Sequence, residues 1–278
     1  MESPIISVCL ITYNHAPFLR QAIESILMQK HNFSWELIVA DDNSTDSTRE
    51  IVLEFKEKYP EIVRTLFQEK NVGAFCNWKD MINAARGKYI AYLEGDDYWT
   101  DWNKLNEQVT FLEKGDGYIG CFHNCEERFD HDDLKASFLY CSFPGTLDVS
   151  FQDLIYKNVI PSCSMVYRNE EFNKVPDWFS KLKMGDWPLH LLNATVGKYK
   201  YIPKVMGVHR NHNGSTWMAL PYEKANQYIL EAYDVMIEAY SDKIYFQNQL
   251  ITAKKTLLNP PDISFKSRCI NFIKRFVN

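Results

Sequence analysis

Apolar and polar positions alternate with two different periods along the first hundred residues. Ile5 to Ile11 is a nearly continuous apolar run, short enough for a strand buried on both faces of a parallel sheet. Pro17 then suits the first turn of a helix, and Phe18, Ala22, Ile23, Ile26 and Leu27 follow at helical spacing as one apolar stripe. The alternation repeats. Leu37 to Ala40 predicts a second strand, and Ser44 or Asp46 can cap a helix whose stripe is Ile51, Val52 and Phe55. Val63 to Phe67 predicts a third strand. A helix after Gly73 carries Met81, Ile82 and Ala85, with Gly87 expected to close it in a left-handed conformation. Tyr89 to Leu93 is the fourth strand. Such strand–helix–strand units predict right-handed crossovers and a mostly parallel sheet flanked by helices.

From Asp101 the pattern loosens. Asp101 to Glu113 reads as a helix, Tyr118 to Phe122 as a strand, Phe151 to Tyr156 as a short helix and Cys163 to Tyr167 as a strand. Pro188 to Val196 reads as helical, Lys200 to Pro203 as extended, and Val205 to His212 as a strand. Tyr222 to Leu257 has long helical character until Asn259-Pro260-Pro261 stops it. The tail, 262–278, mixes Phe265, Ile270, Phe272, Ile273 and Phe276 with Lys266, Arg268, Lys274 and Arg275. Basic and aromatic residues in alternation suit either a membrane surface or a helix packed on the domain or on a second copy.

Chemistry-bearing residues fall where the strands end. Thr12-Tyr13-Asn14, Asp41-Asp42 and Glu94-Gly95-Asp96-Asp97 each follow a predicted strand, and ligands of open α/β sheets bind outside the carboxyl ends of strands. Glu94, Asp96 and Asp97 make a dense anionic spot that a hard divalent cation relieves. Gly95 lets the backbone turn and approach a ligand. The alternative for each motif is a solvated or capped turn, since Asp, Asn and Ser favour turns for local reasons.

Composition narrows the partners. Hydrophobic residues at 46% and charged residues at 24% are ordinary for a globular protein, and the net charge of −5 argues against nucleic acid. Seven cysteines without zinc spacing read as small buried hydrophobes of a reducing compartment. Met1-Glu2-Ser3-Pro4 does not open a basic-then-apolar leader, and no apolar run is long enough to span a membrane. The expectation is a cytoplasmic protein, or one held peripherally on the cytoplasmic face, with oligomerisation open.

Taken together, Val8-Cys9-Leu10-Ile11-Thr12-Tyr13-Asn14, Ile38-Val39-Ala40-Asp41-Asp42-Asn43-Ser44-Thr45-Asp46, Asn71-Val72-Gly73 and Ala85-Arg86-Gly87-Lys88-Tyr89-Ile90-Ala91-Tyr92-Leu93-Glu94-Gly95-Asp96-Asp97 resemble the inverting glycosyltransferases of family 2. Beyond residue 100 the resemblance is carried by Gly185-Asp186-Trp187 and by Val208-His209-Arg210-Asn211-His212-Asn213-Gly214-Ser215. It implies a GT-A fold, a Rossmann-like mixed, mostly parallel sheet: a nucleotide-binding half over 1–100, an acceptor-binding half over 101–218, and a C-terminal helical extension over 219–278. The donor is expected to be a nucleotide-diphosphate sugar, most often UDP-linked, and the acceptor a glycan or lipid-linked hydroxyl of bacterial surface-polysaccharide synthesis.

By position, the resemblance puts Thr12, Tyr13 and Asn14 at the base, Asp41 and Asp42 at the base or ribose, and Asn71 and Gly73 beside them. Glu94 and Asp96 take the two acidic places of the D-x-D motif. Asp96 is then the ligand of Mn2+ or Mg2+, with Gly95 and Asp97 in support. Asp186 becomes the catalytic base, although the acid that usually precedes it is Gly185 here. Arg210 and Ser215 are expected at the diphosphate, and His212 or His209 at the metal. Trp99, Trp187 and Trp217 are candidates to stack on sugar. A sugar-nucleotide pyrophosphorylase would need a glycine-rich basic loop after the first strand, which Thr12 to Pro17 does not provide. A non-catalytic nucleotide- or carbohydrate-binding module would not need the carboxylates.

Overall fold

The computed structural model describes residues 3–115, 117–130, 136–170, 175–215, 217 and 220–259. The basic tail and its suggested membrane contact lie outside the described residues. The first four predicted strands are present as β1 (Ile6–Thr12), β2 (Trp35–Asp41), β3 (Val63–Phe67) and β4 (Tyr89–Glu94), joined by helices α1 (Ala16–Leu27), α2 (Thr48–Lys58) and α3 (Ala74–Ala84). They pair in parallel in the order β3-β2-β1-β4. All seven residues of β1 are buried, as a central strand covered on both faces requires.

The later chain extends the same sheet. After the two-residue β5 (Tyr98–Trp99) and α4 (Lys104–Lys114) come β6 (Tyr118–Phe129), β7 (Phe138–Leu139), β8 (Leu147–Val149) and α5 (Phe151–Leu154). Then follow β9 (Val166–Arg168), α6 (Asp186–Ala194), β10 (Lys198–Asn211), α7 (Tyr222–Ala239) and α8 (Ile244–Leu258). The main path of the ten-stranded sheet is β3-β2-β1-β4-β9-β6-β10-β5, with β7 on β6 and β8 on β10. The long β6–β10 pairing is parallel, whereas β9 is antiparallel to both β4 and β6.

Several boundaries differ from the sequence reading. The two extended segments before His212 are one strand, β10, irregular between Ile202 and Gly207 where the pairing with β6 shifts register. The long C-terminal helix is two, α7 and α8, separated by Tyr240–Lys243. The segment from Cys163 begins as a 3-10 turn, Ser162–Ser164, before β9. Gly87 is not left-handed. A Cβ there would lie 2.3 Å from the Ser7 amide nitrogen and 2.6 Å from the Ile6 carbonyl carbon, so glycine serves the close approach to β1. Ser44 does not cap α2. Its hydroxyl goes to Asp41, and Asp46 accepts the Thr48 N–H at 3.0 Å instead.

Strand alternation divides the core between the two sheet faces. Ile6, Val8 and Leu10 face α1, α2 and α4, whereas Cys9 and Ile11 belong to the face covered by α3, α5, α6, α7 and α8. The C-terminal helices share this second core: Tyr233 of α7 meets the Trp187 ring edge-on at 5.3 Å and bonds the Ile155 carbonyl. Of the described cysteines, Cys9, Cys121, Cys125, Cys141 and Cys163 are buried, as the sequence reading expected, whereas Cys76 is exposed.

One core residue was not foreseen. Lys104 is fully buried, with its ammonium 2.7 Å from Gln108 Oε1 and 3.9 Å above the Trp99 ring. Burial pulls its pKa down to about 7, only partly opposed by the neighbouring Cys121, Cys163 and Cys125. Above that value the unfolded chain, with a lysine pKa near ~10.4, binds the extra proton, so stability rises with pH. Between pH 7 and pH 8.5 the wild type should gain on the order of 1–2 kcal/mol relative to Lys104→Met in urea unfolding. Parallel stability curves for the two proteins would show that Lys104 is not neutralised by folding.

Candidate active site

The parallel register sets Ile11 opposite Glu94 and Thr12 opposite Asp41, so the carboxyl ends of β1, β2 and β4 form one rim. Two loops on this rim are latched together. Asn14 N–H donates to Ser44 Oγ at 2.9 Å, Thr45 N–H to Asn14 Oδ1 at 2.8 Å, His15 N–H to Thr48 Oγ1 at 2.9 Å, and Ala16 N–H to Asp46 Oδ2 at 3.1 Å. Asn14 and Asn43 take positive φ of 54° and 57°, which asparagine tolerates. The Asp41 carboxylate is fully buried and receives Ser44 N–H at 3.2 Å and Arg49 Nε at 2.8 Å. Asp42 accepts Val72 N–H at 2.7 Å, and burial raises its pKa despite that bond.

The side chains of Asn14, Asp41 and Asp42 are therefore engaged within the protein and shape the rim. Tyr13 and Asn71 stand exposed on it, and Gly73 caps α3 with φ 88°.

A second closure brings in the far end of the chain. β5 pairs antiparallel with β10, Gly207 facing Trp99 and Val208 facing Tyr98. The buried Asp97 then accepts Arg210 N–H at 2.8 Å, while Arg210 Nη1 donates to the Asp96 carbonyl at 2.7 Å. The guanidinium also donates to Gln21 and lies 3.0 Å from an Asp130 oxygen. Its carbon is 5.1 Å from the Phe18 ring centre and 4.4 Å from that of Tyr98. Arg210 was expected at the diphosphate; its guanidinium is instead committed to these protein partners. Ser215, expected there too, accepts His212 N–H at 2.9 Å and fixes the turn that carries His212.

The turn aims His212 at Asp96. Gly214 N–H donates to His212 Nδ1 at 3.1 Å, so the neutral ring carries its proton on Nε2 and gives it to Asp96 Oδ2 at 3.0 Å. His15 Nε2 lies 3.8 Å from the same oxygen. Burial raises the Asp96 carboxyl, but His212 and His15 outweigh it and the pKa falls. Asp96 Oδ1, His15 Nδ1 and Thr12 Oγ1 are buried with no hydrogen-bond partner among the described residues, a set of atoms that a ligand would satisfy.

Donor atoms of His15, Asp96 and His212 lie within 4.8 Å of one another. A carboxylate with imidazoles fits Mn2+ better than Mg2+, which prefers all-oxygen shells. A neutral His212 would join such a set through Nε2 only as its other tautomer, with the ring proton moved to Nδ1 and the Gly214 N–H contact given up.

His209, expected beside Asp96, is grouped instead with Glu94 and Asp97, their donor atoms also within 4.8 Å. Its Nδ1 meets Glu127 Oε2 at 3.0 Å. Burial lowers the His209 pKa, but Asp97 and Glu127 more than reverse this and hold the ring as an imidazolium. Glu94 receives the Tyr92 hydroxyl at 3.3 Å and the Ser162 hydroxyl at 3.1 Å. Burial, and then the charge of Asp96, push it up to about 7. Burial also raises Asp97 well above the carboxylate range.

Asp186, the first residue of α6, faces this group: its charge acts on Tyr92 and Glu94, and that of His209 acts on it. Burial raises its pKa, partly offset by backbone N–H groups and by Asn158. Trp99 and Trp187 do not line the cleft. Their indole N–H groups bond the Cys163 and Leu154 carbonyls in the core, and of the three tryptophans proposed for sugar only Trp217 is exposed.

His15, Gln21, Asn158 and Ser162 were not anticipated from sequence. His15 directly follows Thr12-Tyr13-Asn14, and that adjacency was the available signal.

The site combines an acidic loop at a strand end, a mixed sheet and a partly buried Asp at the start of α6. The chain belongs to glycosyl transferase family 2, whose model matches residues 7–171, and has the GT-A fold. An uncharacterised Mycobacterium tuberculosis protein is 34% identical over 212 residues, 76% of this chain and 60% of that protein. The chain thus spans 60% of the length of the first curated relatives it matches. The Escherichia coli UDP-Glc:alpha-D-GlcNAc-diphosphoundecaprenol beta-1,3-glucosyltransferase WfgD is 28% identical over 59% of this chain and 58% of its own.

Among solved structures, Staphylococcus aureus TarS 1–349 with UDP-GlcNAc superposes with a TM-score of 0.61 at 17% identity, covering 98% of this chain and 80% of that one. The mannosyltransferase PcManGT of Pyrobaculum calidifontis, in complex with GDP-Man and Mn2+, gives 0.57 at 15% identity over 100% and 82% of the two chains.

A Cβ on Gly95 would lie 2.8 Å from Thr12 Oγ1 and 2.9 Å from His15 Nδ1, inside the cradle of unpartnered atoms. Gly95→Ala should weaken UDP binding in the presence of Mn2+ about tenfold or more by calorimetry, with a near-native melting temperature. Unchanged affinity would mean that the cradle does not hold the nucleotide.

Proposed function

We propose that this protein transfers a sugar from a UDP-sugar to a hydroxyl of a glycan or lipid-linked acceptor, with inversion, in surface-polysaccharide synthesis. The observation that carries this is the Asp96 carboxylate, set with the unpartnered Thr12 and His15 atoms beside Glu94, which also feels the charge of the partly buried Asp186. The UDP-GlcNAc bound by TarS, the GDP-Man and Mn2+ bound by PcManGT, and the UDP-Glc in the name of WfgD support a nucleotide-sugar donor.

In this scheme residues 1–100 hold the nucleotide and 101–218 the acceptor, with 219–278 as a helical extension. Tyr13, Asn71 and the rim built on Asp41 and Asp42 receive base and ribose. Asp96, His15 and His212 would hold Mn2+ or Mg2+, which supplies charge stabilisation for the departing diphosphate. Asp97 and Arg210 keep the Asp96 loop in place. His209, an imidazolium, holds the surrounding carboxylates at close quarters.

Asp186 accepts the proton of the acceptor hydroxyl as that oxygen bonds the anomeric carbon. The bond from the anomeric carbon to the diphosphate breaks on the opposite face and its electron pair leaves with the diphosphate. The raised pKa of Asp186 keeps the carboxylate basic enough for this role. No described helix is long and apolar enough to cross a membrane. Peripheral attachment to the inner membrane face is proposed from the composition of the tail alone.

Asp96→Ala should weaken UDP binding in Mn2+ by about tenfold or more, measured calorimetrically, and erase the difference between Mn2+ and EDTA. Equal nucleotide affinity under both conditions in the wild type would remove the metal from the scheme. Asp186→Asn should slow UDP release from UDP-glucose or UDP-GlcNAc in Mn2+ by about 100-fold or more while keeping UDP affinity. Near-normal turnover would discard Asp186 as the base. A first-formed α-anomer from these α-linked donors, seen by NMR, would defeat single displacement.

A further inference from the structure

Asp186 is placed at the start of α6 after Gly185, which offers the helix no capping side chain. Its carboxylate is met by the backbone N–H groups of Trp187 and of Asp186 itself, and by one side chain from elsewhere in the chain. Asn158, in the loop after α5, donates from Nδ2 to Asp186 Oδ2 at 2.7 Å. The opposite end of the same amide is held twice: Oδ1 accepts Ile160 N–H at 3.2 Å and lies 3.1 Å from His190 Nδ1. A backbone N–H can only donate, so the amide cannot be flipped, and its NH2 must point at Asp186.

His190 is fully buried, and burial brings it down to about 3, so the ring is neutral. Its Nε2 faces the thioether of Met165, a weak acceptor, whereas Nδ1 faces an amide oxygen, a strong one. The ring proton therefore belongs on Nδ1. The result is a directed chain, His190 to Asn158 to Asp186, with each proton pointing toward the carboxylate.

We infer that Asn158 is a positioning residue for Asp186, holding Oδ2 through an amide whose orientation Ile160 and His190 fix. This rests on the assignment of Asp186 as base. Burial raises the pKa of this carboxylate, and the Asn158 amide adds to the Trp187 and Asp186 backbone N–H groups in favouring the ionised form. The groups that also face Asp186 are Tyr92 and Glu94 of β4, Tyr140 after β7, and His209 of β10. None of them is altered by substituting Asn158.

The test uses the full chain, with UDP release from UDP-glucose or UDP-GlcNAc in Mn2+ and water as acceptor. Asn158→Leu should lower kcat about tenfold or more, leave the affinity for UDP with Mn2+ within about twofold, and move the acidic limb of the kcat/KM profile upward by about one pH unit. Asn158→Ser, which retains a small polar side chain but cannot reach Asp186, should do the same if the leucine variant fails to bind UDP. A UDP-binding variant with wild-type kcat and an unmoved acidic limb overturns the inference. Asp186→Asn, run in parallel, separates the two ideas. Full turnover in Asp186→Asn defeats the base itself. An inactive Asp186→Asn beside an unaffected Asn158 variant defeats only the positioning role.

Discussion

The candidate site depends on a double tie between two chain segments more than a hundred residues apart. Asp97 accepts the Arg210 backbone N–H, and the Arg210 guanidinium returns to the Asp96 carbonyl. Both bonds are buried or nearly so, where each unpaired group would cost roughly 1–3 kcal/mol. With them in place, the turn after β10 can offer His212 to Asp96. Without them, the acidic loop after β4 would carry three carboxylates with no fixed counter-charge. The Phe18 and Tyr98 rings lie against the Arg210 guanidinium and add cation–π attraction to the tie.

Electrostatically the cleft is divided. Around Asp96 the histidines lower the carboxyl pKa and leave an anionic oxygen without a partner. Around Glu94 and Asp97 burial raises it, and the His209 imidazolium, anchored by Glu127, keeps like charges from forcing the chain apart. Neighbouring residues of one tetrapeptide thus have opposite proton affinities, and only the anionic part has the character of a cation ligand. Asp186 is partly buried, and its pKa is raised by burial with backbone N–H groups and Asn158 in partial opposition.

Much of the nucleotide side was legible because its signals are local. A seven-residue apolar run buries as a central strand, and polar residues at three strand ends must share one edge of a parallel sheet. The roles of those polar residues were less legible. Asn14, Ser44 and Asp46 read as ligand or cap candidates but spend their side chains latching one loop to the other, a long-range pairing that leaves no periodicity. Arg210 read as a phosphate contact because an arginine beside histidines carries no mark of the carbonyl and rings that hold it. Gly87 looked like a helix terminator. Its real constraint is the backbone of β1, eighty residues earlier. Asn158 and Lys104 had no sequence signal at all, since each is defined only by what surrounds it after folding.

The shared core beneath α6 bears on how this family can be recombined. Asp186 begins the helix whose next residue, Trp187, packs on Tyr233 of α7, and Leu250 and Ala253 of α8 complete the same cluster. The α7–α8 hairpin is consequently a foundation for α6, continuous with it in packing although it follows β10 in the chain. A chimera that exchanges acceptor specificity between relatives by swapping the segment around Asp186 would graft a foreign Trp187 surface onto native α7. A unit running from β6 through α8 would carry that core whole, but it meets the rest of the chain at three places that must be matched together: the three β4–β9 residue pairs, the β5–β10 pairing and the Asp97–Arg210 tie.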